Sequence, residues 1–449
     1  MSAQNHRSSR AALLALLPLI AAGGASAQPA SLAEAHQPGQ FVSLSSCANG
    51  ICHGAGAPTA EIAGELPKIL GNEYTSRVLD PHFRATAVLR NALSAEIVAA
   101  VAPGKKAWQL PQCLDCHGSN TQAVRSGILD VEDGISCQSC HGPAGGWWNS
   151  HYEDGWTHEK SVAAGMTDLR SPAGRARVCL GCHLGDAKRQ VDHRLLAAGH
   201  PQLVFELDNY SEQAELRHWL PDAVRTSRDG RRPSHGMPAW AAGQVSAFRE
   251  SLELVAARSE RKDGPWPDYA DLACSSCHHE IGDSSWRKQP GYRFRGGMPP
   301  WSPAKWLVLR ELLRVAAPED LAKVEPKVDA LADQIGGAGD RAEIAGLARE
   351  LEKEVGALAA KVGQVRWNEK KLHELLKGLA GRSGELAIDP AAARQAAFTA
   401  HSLATELLIL DRRAARSGLL PKVDRLFNLL EAKGSFDRAE FAQTLAGLE

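Results

Sequence analysis

The ten cysteines of this 449-residue chain fall into five pairs, and a histidine follows the second cysteine of every pair. Four pairs enclose two residues, whereas the first encloses four, among them Gly50, which gives the longer loop its backbone freedom. Two thiols this close together, followed at once by an imidazole, have the spacing of a c-type haem attachment motif. The motifs are Cys47/Cys52/His53, Cys113/Cys116/His117, Cys137/Cys140/His141, Cys179/Cys182/His183 and Cys274/Cys277/His278.

The chemistry of attachment explains this spacing. Two thiols add to the two vinyl groups of one haem, and the adjacent histidine then places its imidazole on the iron. Five motifs predict five covalently bound haem c groups. All ten cysteines become attachment points, and the histidine of each motif becomes the proximal iron ligand.

Zinc and disulfide bonds are the competing interpretations. The second and third pairs are separated by 20 residues, which lies within zinc-ribbon spacing. Disulfide frameworks belong mainly to short, cysteine-dense secreted chains. Neither interpretation explains a histidine after every pair, since histidine fills only 17 of the 449 positions. Haem is therefore favoured.

Each iron also needs a sixth ligand or an open position. The candidate distal ligands are His82, His151, His193, His200, His218 and His279. Six candidates for at most five positions leave at least one histidine with another role. His82 and His151 are favoured because they lie close in sequence to attachment motifs. If residues 193–200 are helical, His193 and His200 lie on one side of the helix and suit two different haems.

The elements that position these residues differ between the two halves of the chain. The motifs share about 230 residues, so we expect haems to form much of the interior and the chain to wrap them. Frequent proline and glycine predict short helices, long loops and few strands. From about residue 303, apolar residues recur three and four positions apart, as in 321–335 and 344–362. The predicted fold is mainly α, a multihaem cytochrome fold with stacked haems followed by a C-terminal helical bundle or hairpin.

The first residues have the pattern of a secretory signal. A basic start precedes an apolar run at 11–22 and a small-residue cleavage site at Ala25-Ser26-Ala27. The predicted domains are a signal peptide (1–27), a pentahaem cytochrome c domain (28–302) and an α-helical C-terminal domain (303–449). No later stretch approaches the roughly 20 apolar residues of a membrane span, so we expect a periplasmic mature chain without a transmembrane segment.

Several stretches resemble a known family. Residues 134–143 around the third motif, followed by a tryptophan pair and His151, resemble the multihaem cytochromes that include the tetrahaem cytochrome of nitrifying bacteria and the hydroxylamine oxidoreductase group. Asp80-Pro81-His82 does so too, and the resemblance spans about 41–302. It implies a periplasmic electron-transfer fold with closely packed haems. The fifth motif and the long helical C-terminus depart from the tetrahaem pattern.

Two functions fit these observations. One is an electron carrier between periplasmic or membrane-anchored redox proteins, with two histidines on every iron. The alternative is a multihaem oxidoreductase that acts on a small nitrogen or sulfur compound at one haem with an open distal site. The number of histidines favours the carrier. A net charge of -1 argues against nucleic acid as a partner, and the C-terminal helices could support a homo-oligomer.

Overall fold

The computed structural model describes residues 39–49, 52–54, 80–119, 123–124, 126–211, 236–262, 264–279, 299–302, 304–410, 418–432 and 436–449. The predicted signal peptide and His218 lie outside these residues. The described residues belong to one compact unit. They are mainly helical and contain no β-strand, so the predicted mainly α class is confirmed. The domain boundary at residue 302 stays a prediction.

The helices that carry or flank the first four motifs are short. Pro111 and Pro172 occupy the first turn of two of them, where the missing backbone donor costs nothing. Single turns of 3-10 helix connect them, as at Pro81–Arg84 and Cys274–Ser276. The helices are α1 (Leu44–Cys47), α2 (Ala92–Val101), α3 (Pro111–His117), α4 (Cys137–His141), α5 (His158–Ala163), α6 (Pro172–His183), α7 (His193–Ala197) and α8 (Leu207–Ser211).

The helix between the fourth and fifth motifs does not follow the expected pattern of short helices. This helix, α9 (Gly236–Glu260), has 25 residues and buries most of its surface, including Trp240, Phe248 and Leu252. Alanine and other apolar residues occupy nearly all of its sides, which is the composition of a helix surrounded by protein. α9 packs against α6 on one side and against the C-terminal helices on the other.

The C-terminal part is built from longer helices around one apolar core. These are α10 (Ala304–Ala316), α11 (Pro318–Gly336), α12 (Arg341–Gly363), α13 (Glu369–Gly381), α14 (Ser383–Leu386), α15 (Pro390–Leu410), α16 (Leu419–Glu431) and α17 (Arg438–Ala446). The apolar stripes expected in 321–335 and 344–362 point into the core that these helices share with α9. No described helix is long and apolar enough to cross a membrane.

Buried polar contacts join the end of the motif-bearing part to α15. The side chain of Gln395 donates to the carbonyl of Phe205 at 3.1 Å. The side chain of Asn209 donates to the carbonyl of Phe398 at 3.1 Å and to the hydroxyl of Ser402 at 3.0 Å. The segment 205–209 is thus held by the helical core on one side, while its other side reaches the fourth motif.

Candidate functional site

Each attachment motif lies on a short helix or at its end. Helices α3, α4 and α6 all end on the histidine of their motif. In such a helix, two cysteines three residues apart share one face, and the histidine follows directly. The first motif begins at the end of α1, and the fifth begins in the 3-10 turn Cys274–Ser276. All ten cysteines are described, and none is paired in a disulfide.

Burial suppresses ionisation of several of these thiols. It raises the pKa of Cys47 and of Cys140 to about 12 and that of Cys179 to about 11. A thioether, the product of attachment to haem, has no ionisable proton. Buried positions that disfavour a thiolate therefore suit cysteines that end as thioethers.

The second cysteines of the first and fifth motifs, Cys52 and Cys277, lie in turns and not within a helix. Cys52 is half-buried in a turn after α1, where its backbone N–H donates to the carbonyl of Asn49 at 2.9 Å. Cys277 is exposed, and its backbone N–H donates to the carbonyl of Cys274 at 3.2 Å. Cys277 is the one exposed cysteine of the ten, and the expectation of haems enclosed by the chain stays a prediction. Both cysteines stay predicted attachment points, since each lies beside the first cysteine of its motif and raises the pKa of that thiol.

The second motif lies against the fourth. Cys116 and Cys182 share a hydrogen bond, which raises the pKa of Cys116 and lowers that of Cys182 to about 7. The guanidinium of Arg189 donates from Nη1 to Sγ of Cys182 at 3.5 Å. Its Nε donates to the carboxylate of Asp186, which fixes the position of the guanidinium. Haems attached at these two motifs would therefore be close neighbours.

The third motif lies between the fourth motif and the first. Cys140 is close enough to Cys179 and Cys182 for their charges to raise its pKa, after burial as the main cause. Cys137 has the same effect on Cys47. The third motif therefore lies near both of these motifs, although the first precedes it by about 90 residues in the chain.

The fifth motif approaches the segment that follows His200. The side chain of Gln202 donates to Sγ of Cys274 at 3.9 Å. The backbone N–H of Ala273 donates to the carbonyl of Pro300 at 3.0 Å, next to the isolated bridge that ties the fifth motif to the chain before α10. The fifth motif thus lies between the segment after His200 and the chain that leads into the helical core.

Three of the predicted distal histidines face three of the predicted proximal histidines. In each pair the two ring centroids lie 6.0 to 6.4 Å apart. The ring planes are nearly parallel in one pair and closer to perpendicular in the other two. The pairs are His53 and His151 at 6.2 Å and 6°, His82 and His183 at 6.0 Å and 82°, and His117 and His200 at 6.4 Å and 76°.

These distances fit two imidazoles on opposite sides of one iron. An imidazole nitrogen binds a transition metal at about 2.0 Å, and the ring centroid lies about 1.1 Å behind that nitrogen, so the two centroids should be about 6.2 Å apart. The described residues contain no group of three or more His, Cys, Asp or Glu side chains suited to a metal ion. The distance between the two rings of each pair suits haem iron, which needs only two ligands from the protein.

The other ring nitrogen of these histidines is already engaged. Nδ1 of His117, His151 and His200 lies 3.2, 2.6 and 2.8 Å from a backbone carbonyl oxygen, those of Ala85, Trp148 and Pro201. A carbonyl accepts only, so Nδ1 carries the proton and Nε2 keeps its lone pair. Each of these rings thus offers Nε2 to a metal and is oriented by its second nitrogen.

Burial also favours the neutral, metal-binding form of three of the paired histidines. It lowers the pKa of His117 and His151, and it lowers that of His183 to about 4, with His82 and His117 adding to the effect. Only neutral imidazole can coordinate iron. At neutral pH these three histidines are therefore ready to act as ligands without losing a proton.

The remaining candidates have other surroundings. The ring of His193 contacts that of Tyr269, with 5.4 Å between the ring centroids. Helix α7 ends before His200, so residues 193–200 are not one helix, and the condition for placing His193 and His200 on one side of a helix is not met. His279 follows proximal His278 directly in the chain and stays a predicted ligand. His158 uses Nε2 itself in a contact with Asp168 at 3.0 Å, which suits a structural role.

Sequence reasoning missed the residues that surround the pair of His82 and His183. Asp80 accepts a hydrogen bond from the ring of His82, and the rings of Phe205 and Tyr210 lie 5.0 and 5.8 Å from that of His183. Asp80 stands two residues from His82, which is a usable local signal. Phe205 and Tyr210 follow His183 by more than 20 residues, and nothing local connects them to it.

The cysteine–histidine motifs and a family match identify a c-type cytochrome, a protein that binds haem c covalently and takes part in electron transfer. The model of the family "cytochrome c554 and c-prime" matches residues 72–142. That segment contains His82 and the second and third motifs, and it covers less than half of the chain. The comparisons with curated proteins and with solved structures give no match.

Proposed function

We propose that this chain is an exported, periplasmic pentahaem cytochrome that carries electrons between redox proteins, in the periplasm or anchored to the membrane. Five haems would be bound, one at each motif. Within the c-type cytochromes, the motifs point to the group that includes the tetrahaem cytochrome of nitrifying bacteria and hydroxylamine oxidoreductase. The C-terminal helices would seal the haem-bearing part or join a second copy of the chain.

The spacing of the three histidine pairs is the observation that carries this proposal. An iron with two imidazoles has no position left for a substrate, so it exchanges electrons and binds nothing else. The pairs His53/His151, His82/His183 and His117/His200 would give three such irons. Three irons closed in this way favour a carrier, and an enzyme would have to keep its open distal position at the iron of His141 or of His278.

The contacts between motifs support an electron path that differs from their order in the sequence. The first motif would pass electrons to the third, the third to the fourth, and the fourth to the second. The contact between Gln202 and Cys274 would continue this path from the second motif to the fifth. At that end, the exposed Cys277 would bring the fifth haem close to solvent, where a partner can exchange electrons with it.

Mass and spectra of the purified holoprotein test the proposal. Denaturing mass spectrometry should give residues 28–449 plus five haems and no free thiol. Every haem should be low-spin, and the reduced protein should bind carbon monoxide slowly because an imidazole must leave first. A stoichiometric high-spin haem that takes up nitrite, nitric oxide or hydroxylamine would favour the alternative, an oxidoreductase acting at an open haem.

Two histidine variants sharpen the same test. His151→Ala should convert one haem to a high-spin form that binds carbon monoxide rapidly, because the ring opposite His53 is gone. His158→Ala is the matched control, since His158 follows His151 by seven residues in the chain but its Nε2 is engaged by Asp168. Low-spin spectra in both variants would show that His151 is not a ligand.

A further inference from the structure

Four histidines of the described residues, His82, His117, His151 and His200, have an engaged Nδ1 and differ in the charge of its partner. His117, His151 and His200 donate to neutral backbone carbonyls. His82 instead donates to a carboxylate, with Nδ1 at 3.0 Å from Oδ1 of Asp80. A carboxylate is a much stronger acceptor than a peptide carbonyl, because it carries a full negative charge. The ring of His82 is therefore the most electron-rich of the four.

The local backbone holds Asp80 in this position. Asp80 is only 4% exposed and caps the 3-10 turn Pro81–Arg84, where Oδ1 also accepts the backbone N–H of His82 at 2.9 Å. The carbonyl of His82 in turn accepts the N–H of Ile135 at 2.9 Å, which ties this turn to the loop before the third motif. The carboxylate thus stays aimed at the ring and is largely shielded from solvent.

The partner of His82 identifies the haem that would feel this charge. His82 faces His183, the proximal histidine of the motif Cys179/Cys182. Hydrogen bonding from a ligand histidine to a carboxylate raises the basicity of the metal-bound nitrogen. A more basic ligand donates more electron density and stabilises ferric over ferrous iron, and hydrogen bonds made by the axial ligands are among the factors that set haem potentials.

We propose that Asp80 is a positioning residue that lowers the reduction potential of the haem attached at Cys179 and Cys182. This potential would then lie below the potentials of the haems held by His53 with His151 and by His117 with His200. This inference rests on the proposed function, since it needs haem between His82 and His183. An electron on this haem would pass preferentially to the neighbouring haem at Cys113 and Cys116, whose two histidines donate only to carbonyls. The charge of Asp80 would thereby give one step of the path a direction.

Potentiometric titration of the holoprotein tests this assignment. Asp80→Asn keeps a side-chain oxygen at the cap but removes the charge, and asparagine is an equally good cap. We expect the midpoint potential of one haem to rise by about 59 mV, which is a tenfold change in a one-electron equilibrium. The haem at Cys137 and Cys140 should shift less, because the charge of Asp80 acts near Cys140 without a bond to a ligand of that iron, and the remaining midpoints should not move.

The chain offers a matched control. Asp168 also binds a histidine at 3.0 Å, but through Nε2 of His158, which leaves that ring no role on iron. Asp168→Asn should leave every midpoint unchanged. A shift of equal size in both variants would mean that the loss of any carboxylate charge, and not of the bond to His82, changes the potential, and the assignment would be wrong.

Two further outcomes decide the remaining cases. If Asp80→Asn produces a high-spin haem, Asp80→Glu must restore the low-spin spectrum with a midpoint at or below that of the native protein, and a raised midpoint overturns the inference. Unchanged midpoints in an Asp80→Asn protein with five low-spin haems also overturn it, while leaving the carrier function intact. Absence of haem at Cys179 and Cys182 in the native protein would instead refute the proposed function.

Discussion

Two regions of the molecule have different kinds of interior. The motif region comprises residues 39–211 and 264–279, and the helical region comprises residues 236–262 and 304–449. The helical region has one continuous apolar core to which α9 and the C-terminal helices contribute. The motif region, as far as the structure describes it, has small separate clusters, such as Val42 with Ala144 and Trp147, or Leu89 with Val98 and Ala107. Cys47 packs against the first of these clusters and Cys113 against the second.

Helix length reinforces this difference. In the helical region α11, α12 and α15 contain 19, 23 and 21 residues. Helices α3 and α4 in the motif region contain only seven and five residues. Isolated helices of this length are not stable in water. The motif region therefore needs its haems as structural parts, whereas the helical region has what an ordinary domain needs.

Removal of one haem should have the largest effect on folding. If it does not, the motif region does not depend on haem in the way that distinguishes it from the helical region. Cys137→Ala with Cys140→Ala abolishes attachment at the motif that lies between the first and the fourth. We expect loss of the folded motif region and proteolytic degradation, because the missing haem leaves a void where three motifs meet. Yield, haem content and protease resistance measure this. A stable protein with four haems and native circular dichroism would contradict it.

A cavity in the helical region should have a smaller and different effect. Leu351 on α12 is fully buried, so Leu351→Ala should lower the free energy of unfolding by about 2–5 kcal/mol without changing the number of bound haems. Lys353→Ala on the exposed face of the same helix is the control and should change it by less than about 0.5 kcal/mol. Denaturant titration followed by circular dichroism gives both values. Loss of haem from Leu351→Ala would show that the two regions do not differ in this way.

The same contrast explains what could be predicted from the sequence. Attachment motifs and apolar stripes are local patterns, and the stripes in 321–335 and 344–362 lie in the core as expected. The pairing of histidines depends on the path of the whole chain. His151 lies ten residues after His141, yet it faces His53, which is 98 residues away. Proximity in sequence favoured His151 as a ligand but gave no information about its partner.

Two further differences have local physical reasons. Helix α7 ends at Ala197, and Gly199 has a φ of +106°, so the chain turns before His200 instead of continuing as a helix. Helix α9 is apolar on most sides and lacks the one-sided periodicity that predicts a helix at the surface. Its position between two motifs suggested loops, and only its packing against α12 explains its length.

The contact between the two regions contains a buried acidic pair, Glu206 and Asp208. Glu206 is 2% exposed and accepts hydrogen bonds from the backbone of Asp208 and from Asn209, while Ser402 of α15 donates to Asp208 at 2.6 Å. Burial, with the nearby charge of Asp208, raises the pKa of Glu206 from 4.5 to about 7. Burial also lowers the pKa of Lys305 on α10 to about 8, and Glu206 opposes that shift.

This pair should make the junction sensitive to pH, which is the smallest of the expected effects. Between pH 4.5 and 7 the native protein holds a proton on Glu206 that the unfolded chain has released, so stability falls as pH rises through this window and levels off above it. Glu206→Gln should remove this part of the slope when melting temperatures are compared from pH 4.5 to 8. Glu350→Gln, an exposed carboxylate on α12, should keep the native slope. Equal slopes in all three proteins would show that Glu206 ionises alike in the folded and unfolded states, and that the two regions meet without a titratable junction.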